Sequence, residues 1–287
     1  MNTGITLNQL KRSTEQALSA IYPQREAQWL WREMMFRIKG WSRVDLVIRD
    51  NEPASDFVLQ KVHETTNRLL KHEPIQYIFG VTEFYGLQLK VSPDVLIPRP
   101  ETAELVDNII QQADNRSDLR VLDICTGSGC IALALARNLR FPLVSAIDLS
   151  TEALDIAKAN ASNLKVKIKF HKCNALHLTA PAQPCYDIIV SNPPYIAEHE
   201  RSTMNANVID HEPHMALFVP DNDPLVFYRA IASYAMSALV SGGKLYFEIN
   251  PNYVSELHYE LKQQGWINIS VVADMQRLNR FIFCTRP

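Results

Sequence analysis

The sequence predicts an α/β fold: a seven-stranded, mostly parallel sheet wrapped by helices, preceded by a small helical domain. Three changes of pattern along the 287 residues carry that expectation. Apolar residues recur at helical spacing through the first quarter of the chain. They then alternate with period two from Tyr77 to Ile97. From Arg120 onward, short β-branched runs alternate with helical segments, the order that builds a parallel sheet with helices on both faces.

The elements follow in order. Thr6 with Gln9 is a capping-box pattern opening a helix through Leu7, Leu10, Ala17, Leu18 and Ile21. Pro23 opens a second with Ala27, Leu30, Trp31, Met34 and Ile38 on one face, and 56–71 a third through Val58, Val62, Leu69 and Leu70. These stripes read as the core of a bundle over residues 1–75, and their aromatics and methionines carry no chemistry. Residues 76–100 read as a β-hairpin linker with Gly80 and Gly86. It ends in the proline-stiffened run Leu96-Ile97-Pro98-Arg99-Pro100-Glu101-Thr102, an expected bridge to the domain over 101–287. There, strands are expected at 120–124, 143–147, 166–170, 186–190, 244–249, 267–272 and 281–285, the last two as an antiparallel edge pair. Helices are expected at 131–139, at 151–161 with Ser150 as cap, and from Asp223-Pro224 to Leu239.

Composition narrows the function classes. Hydrophobic residues at 47% and charged ones at 21% are those of an ordinary globular chain. The net charge of −2 leaves neither the first 80 residues nor the rest strongly basic, which argues against stable nucleic-acid binding. The five cysteines are odd in number, sit mostly among apolar residues and form no Cys-x-x-Cys pair, so they read as reduced thiols. The N-terminus lacks the apolar core of a signal peptide, and no apolar run approaches the roughly 18 residues of a membrane helix. A cytoplasmic protein without membrane partners, working as a monomer, is the expectation.

Three features fall at strand ends. Asp123-Ile124-Cys125-Thr126-Gly127-Ser128-Gly129 leaves the first strand of the large domain for a helix, with glycines that let backbone approach a ligand. It is neither a dinucleotide fingerprint nor a phosphate loop, and alone it also reads as a tight strand-to-helix turn. Asp148 ends the next strand, where a carboxylate can accept both hydroxyls of a ribose, unless it serves as a helix cap, a task open to Ser150. Ser191-Asn192-Pro193-Pro194-Tyr195 follows the fourth strand. Its prolines end any sheet pairing, stiffen the backbone and leave a rim with carbonyls and few N–H donors. Parallel strands present these ends on one side, so a nucleoside cofactor and a clamp for N–H groups would share a cleft.

On these residues the chain resembles the S-adenosylmethionine-dependent methyltransferases, a Rossmann-like fold, that act on amino or amide nitrogens. Asn192-Pro193-Pro194-Tyr195 is similar to their signature. With Leu96 to Thr102, the Asp123 loop and Glu212-Pro213-His214-Met215-Ala216-Leu217, it resembles the HemK/PrmC family along nearly the whole chain. That family methylates the side-chain amide of the glutamine in the Gly-Gly-Gln motif of class I peptide chain release factors. Pro100-Glu101-Thr102 favours this branch over the ribosomal protein glutamine methyltransferases, which carry a variant of the stretch. The resemblance implies that Cys125, Thr126, Gly127, Ser128 and Gly129 border the methionine and ribose of S-adenosyl-L-methionine, Asp148 its ribose hydroxyls, and Asn174 and Ala175 its adenine. Asn192, Pro193, Pro194 and Tyr195 would hold the target amide, Asn192 also touching the cofactor, and the helical domain would dock the release factor. Cys125 stands where the family commonly has glycine, and Asn174 where it often has an acid.

Other residues invite other readings. Arg99 reads as a partner for Glu101, as an approach to the cofactor, or as one side of a structural ion pair. His199, His211 and His214 lie in a proline-broken segment without the helical spacing of a zinc site, so no metal is expected. Glu212-Pro213 reads as shaping a loop beside the substrate, and Cys125 as packing, not as a nucleophile. The same clamp fits an amino-methyltransferase acting on ribosomal protein or on a flipped nucleic-acid base, and a non-catalytic scaffold is the reading without cofactor chemistry.

Overall fold

The computed structural model describes residues 4–287 and divides into two compact units, Met1–Gly80 with Asn205–His211, and Val81–Met204 with Glu212–Pro287. The first holds α1 (Leu7–Leu18), α2 (Gln24–Lys39), α3 (Arg43–Ile48), α4 (Asp56–Leu69) and α5 (Ile75–Phe79). Thr6 closes the capping box with Gln9, whose backbone N–H donates to Thr6 Oγ1 at 3.2 Å. Pro23 caps α2 as its position suggested. Leu7, Leu10, Leu18, Leu30, Trp31, Met34, Met35, Val58, Val62 and Leu69 form one core. Ile21 and Leu70 lie just past the ends of their helices and remain exposed, as does Ala17. The sequence reading passed over α3, whose Ser42 and Asp45 form a second capping box while Val44, Val47 and Ile48 stay in solvent.

The second unit begins with a hairpin, β1 (Val81–Phe84) and β2 (Leu87–Lys90), which pair antiparallel. The expected period-two run began too early. Ile75 to Phe79 form α5, closed by Gly80 in the left-handed region, so strand begins only at Val81. Tyr85 and Gly86 both have positive φ, 50° and 69°, as a two-residue hairpin turn requires. The chain continues through α6 (Pro100–Ala113), β3 (Arg120–Ile124), α7 (Cys130–Asn138), β4 (Leu143–Asp148), α8 (Thr151–Leu164), β5 (Ile168–Lys172), β6 (Tyr186–Ser191) and β7 (Ile196–Ala197). Then come α9 (Ala206–Ile209), which belongs to the first unit, β8 (Phe218–Val219), α10 (Val226–Ala238), β9 (Leu239–Glu248), α11 (Val254–Gln263), β10 (Ile267–Ala273) and β11 (Asn279–Thr285). No helix is long and apolar enough to cross a membrane among the described residues.

Seven strands form one sheet in the order β10-β11-β9-β6-β3-β4-β5. Its members are parallel except β11, which runs antiparallel to both neighbours and forms the edge pair with β10. Strand alternation sorts side chains to two cores. Val121, Ile188, Val190 and Tyr246 pack with α6 and α7, while Leu122, Ile189, Leu245 and Phe247 pack with α10 and α11. From β3 the chain steps outward to β4 and β5, then returns to β6 on the other side. The switch point therefore lies between β3 and β6, where open α/β sheets keep their ligand crevice.

Differences from the sequence expectation are local. Helix α8 runs a turn longer than expected to Leu164, and Lys165 closes it in the left-handed region with the Val166 N–H donating to Ala161 O at 2.9 Å. Val166 is thereby used as a helix closure and β5 starts at Ile168. Helix α10 starts at Val226 because Asp223-Pro224 form the turn before it. In the second unit two helices lie outside the expected set: α11, and α6, whose Leu105, Val106 and Ile109 lie behind the prolines that suggested only a stiff bridge.

Gly129 ends the β3 loop at φ 82°, and a Cβ there would stand 3.2 Å from Ala157 Cβ and from Leu133 Cδ1. Gly127 also has positive φ, but nothing lies within 4 Å of its missing Cβ. Gly127→Ala is therefore expected to cost only the left-handed backbone term, roughly 1–2 kcal/mol, and Gly129→Ala more, because overpacking adds about 1–3 kcal/mol. Thermal unfolding of the two variants checks this, and equal losses would mean that α7 and α8 yield at this contact.

Candidate active site

The β3 loop is built around a buried acid. Asp123 is fully buried, and its Oδ2 accepts from Thr126 Oγ1 at 2.6 Å and from the Ala132 N–H at 3.2 Å. Among the described residues its Oδ1 meets no hydrogen-bond partner. Burial pushes the carboxyl up to about 7, the two hydrogen bonds opposing the rise. Cys125 follows at φ 62°, a left-handed conformation that glycine would adopt without penalty. Burial pushes its thiol well up, consistent with a packed neutral side chain and not a nucleophile.

Asp148, at the end of β4, ties the neighbouring loop to itself. Its Oδ2 accepts from the Gly127 N–H at 2.8 Å and its Oδ1 from the Ser150 N–H at 3.0 Å. Each oxygen keeps a lone pair for a further donor. Burial raises this carboxyl as well. Ser150 caps α8 by accepting from the Ala153 N–H at 3.0 Å, which leaves Asp148 free of the alternative capping task. Asn174 Oδ1 accepts from the Leu176 N–H at 2.9 Å, capping a short turn over Ala175–His177.

Asn192 leaves β6 on the same rim. Ser191 locks the departure by donating its hydroxyl to Ile124 O at 2.6 Å. Asn192 Nδ2 donates to Thr102 Oγ1 at 3.3 Å, and Thr102 donates in turn to Glu248 Oε2 at 2.7 Å. Tyr195 donates its hydroxyl to Glu248 Oε1 at 3.2 Å, while Asn250 Nδ2 donates to Tyr195 O at 3.0 Å. Beyond the prolines, the Ile196 N–H donates to Leu217 O at 2.9 Å, starting the β7–β8 pair. The loop is thus anchored on both sides of the two prolines.

These residues meet in a single cleft. Its wall carries Cys125, Thr126, Gly127, Ser128, Asp148, Asn174, Ala175, Asn192 and Pro194 of the expected residues. Among the described residues the wall does not include Gly129, Pro193 or Tyr195. Gly129 caps α7, Pro193 is buried, and the Tyr195 hydroxyl turns to Glu248.

Arg99 lines the cleft and forms a structural ion pair, though not with Glu101. Its partner is Glu212, whose side chain is fully buried and also accepts from the Ile97 N–H at 3.2 Å, whereas Glu101 accepts from Gln276 at 3.4 Å. The two stretches read as motifs, 96–102 and 212–217, are therefore joined by one ion pair. The histidines engage separate partners: His199 pairs with Asp221, His211 lies 2.9 Å from Lys71 O, and His214 packs edge-on to Phe218. Sequence reasoning missed Glu248 and Asn250. Glu248 had the same signal as Asp148, a carboxylate ending an apolar parallel strand.

The sheet order and the cleft at its switch point define a class, the S-adenosylmethionine-dependent methyltransferase fold. A solved methyltransferase from Pyrococcus furiosus shares it, with a TM-score of 0.52 at 15% identity over 78% of this chain and 98% of that one. Family models for a PrmC N-terminal domain and a methyltransferase small domain match residues 9–80 and 102–216. The release factor glutamine methyltransferase of Bacteroides thetaiotaomicron is 41% identical over 98% of this chain and 100% of its own length. That of Flavobacterium psychrophilum is 40% identical over 93% and 94%. The chain belongs to the release factor glutamine methyltransferase family and is an S-adenosylmethionine-dependent methyltransferase.

Asp123 generates a pH effect. Its folded pKa of about 7 lies above the roughly 3.9 of an unfolded aspartate, so between these values the folded chain holds the extra proton. Its contribution to stability is full below about pH 4 and is lost as pH rises through about 7, at up to roughly 1.4 kcal/mol per pH unit. Asp123→Asn, which cannot titrate, is expected to flatten this part of the stability profile in chemical denaturation between about pH 4.5 and 8. A variant as steep as the parent would assign the slope to Asp148 and Glu248, which burial raises in the same direction.

Proposed function

We propose that this enzyme transfers a methyl group from S-adenosyl-L-methionine to the side-chain amide nitrogen of the glutamine in the Gly-Gly-Gln motif of class I peptide chain release factors. The observation that carries the reading is the cleft itself. It brings Asn192 and Pro194, from the two sides of Pro193 on the rim, together with the Asp148 carboxylate and the Cys125–Ser128 loop. The names of the relatives support the substrate, and the matched PrmC N-terminal domain supports docking of the release factor by the helical unit.

The residues fit the cofactor. Asp148 keeps lone pairs for ribose hydroxyls, its other sites being filled by the Gly127 and Ser150 N–H groups. Asn174 and Ala175 border the adenine side, although Asn174 Oδ1 already accepts one bond, so its contact with an amino group uses the remaining lone pair. When bound, S-adenosylmethionine supplies an electrophilic methyl carried on a cationic sulfur.

The chain's part is to prepare an unwilling nucleophile. An amide nitrogen shares its lone pair with the carbonyl, the resonance that keeps peptides planar. Asn192 Oδ1 and the Pro193 carbonyl each accept one N–H of the substrate carboxamide, turning the nitrogen lone pair toward the methyl. The prolines keep those acceptors still and offer no competing donor. Such alignment is worth on the order of 7–11 kcal/mol in favourable cases. No strong base is needed, because the nitrogen becomes acidic only as the new bond forms and then releases its proton to solvent. Tyr195, held by Glu248 and Asn250, backs the loop.

Labelled methyl from S-adenosylmethionine is expected on the Gly-Gly-Gln glutamine of a purified release factor, and absent when that glutamine is alanine. Asn192→Ala is expected to lower kcat about 100-fold or more while cofactor affinity changes little. Label on ribosomal protein or nucleic acid instead would keep the clamp and replace the partner.

A further inference from the structure

The Asn192 side chain has two ends alike in outline and opposite in chemistry, an oxygen that accepts and an NH₂ that donates. The clamp operates only with the oxygen toward the substrate N–H. What fixes that choice lies outside the Asn-Pro-Pro-Tyr loop. Thr102 Oγ1 stands 3.3 Å from Asn192 Nδ2 and 2.7 Å from Glu248 Oε2. A hydroxyl has one hydrogen, and an ionised carboxylate can only accept. Glu248 accepts at both oxygens, from the Thr102 hydroxyl on Oε2 through the shorter bond and from the Tyr195 hydroxyl on Oε1, so it takes that hydrogen. Thr102 then has only lone pairs left for Asn192, which must answer with its NH₂. Thr102 and Glu248 are each 2% exposed, so solvent does not compete for either group.

We infer that Glu248, acting through Thr102, is the positioning device that holds the Asn192 amide with its oxygen toward the cleft, so that the enzyme accepts an N–H donor and rejects a carbonyl at that point. The inference rests on the reading of the chain as an amide methyltransferase and deepens it. The three groups come from three places: Thr102 from the first turn of α6, Asn192 from the end of β6 and Glu248 from the end of β9. The same carboxylate accepts from the Tyr195 hydroxyl, so one side chain holds both ends of Asn-Pro-Pro-Tyr. Acceptor-only character at Glu248 sets the direction of the whole chain of hydrogen bonds. A hydroxyl at 102 is needed to pass that direction on.

Thr102→Val keeps the shape of the side chain and removes both its donor and its acceptor, freeing the amide to turn. With a release factor as substrate, kcat is expected to fall about 100-fold, the scale of losing one oriented partner at a reacting group. Cofactor Kd by calorimetry and KM for the release factor should stay within about threefold, and Thr102→Ser should restore kcat to within about threefold of the parent. If Thr102→Val melts at the assay temperature, Thr102→Cys takes its place, since sulfur accepts and donates poorly. Undiminished kcat in the valine or cysteine variant would overturn the inference. So would a serine variant as slow as they are, or cofactor affinity lost in step with kcat. Failure of the substrate reading is seen separately, as no transfer to the release factor by the parent enzyme; the comparison is then made on whichever ribosomal protein or nucleic acid the parent labels, because an amino group presents the same N–H donors.

Discussion

A parallel strand cannot stop without leaving carbonyls and amides that need partners, and in the large unit five such ends open on one rim: Ile124, Asp148, Lys172, Ser191 and Glu248. The cleft is what their satisfaction produces. Ile147 O receives the Thr126 N–H, Asp148 O receives the Cys173 N–H, and Ile124 O receives the Ser191 hydroxyl. The first two bonds bend a loop back over a neighbouring strand end, and the third ties the ends of β3 and β6 together. The walls of the site are thus fixed by sheet termini, before any ligand contributes.

The same rim gathers buried negative charge. Asp123, Asp148 and Glu248 all carry carboxyls that burial raises above the ordinary range. Such groups weaken the fold at neutral pH, an expense tolerated where function needs it. A cationic ligand near Asp123 and Asp148 offsets it, which suits a cofactor whose reactive centre is a sulfonium. Glu248 has a different task, set by its partners Thr102 and Tyr195, and it lies behind the wall of the cleft.

Much of this was legible in the sequence because it rests on short-range rules. Strand and helix alternation gave the seven strands, the Thr6 and Ser150 caps appeared where side-chain chemistry put them, and Asn192, Asp148 and the Cys125 loop reached one cleft because parallel strands must end together. What escaped depends on contacts far apart in sequence. The partner of Arg99 is Glu212 and not the adjacent Glu101, and the partner of Asn192 lies 90 residues upstream. Helix α6 was hidden by the prolines at its start, which mark a beginning as readily as a break. Residues 77–79 kept an alternating pattern although Gly80 closes them as helix.

The central claim is that a stiff pair of acceptors, Asn192 Oδ1 and Pro193 O, aims a carboxamide nitrogen. A crystal structure of the enzyme with S-adenosylhomocysteine, the demethylated form of the cofactor, and a release factor tests it most directly. The account expects the Gly-Gly-Gln carboxamide nitrogen within hydrogen-bond distance of both oxygens, with Asn192 Nδ2 still on Thr102. A glutamine bound through its carbonyl to Asn192 Nδ2, or held away from the loop between β6 and β7, would contradict it.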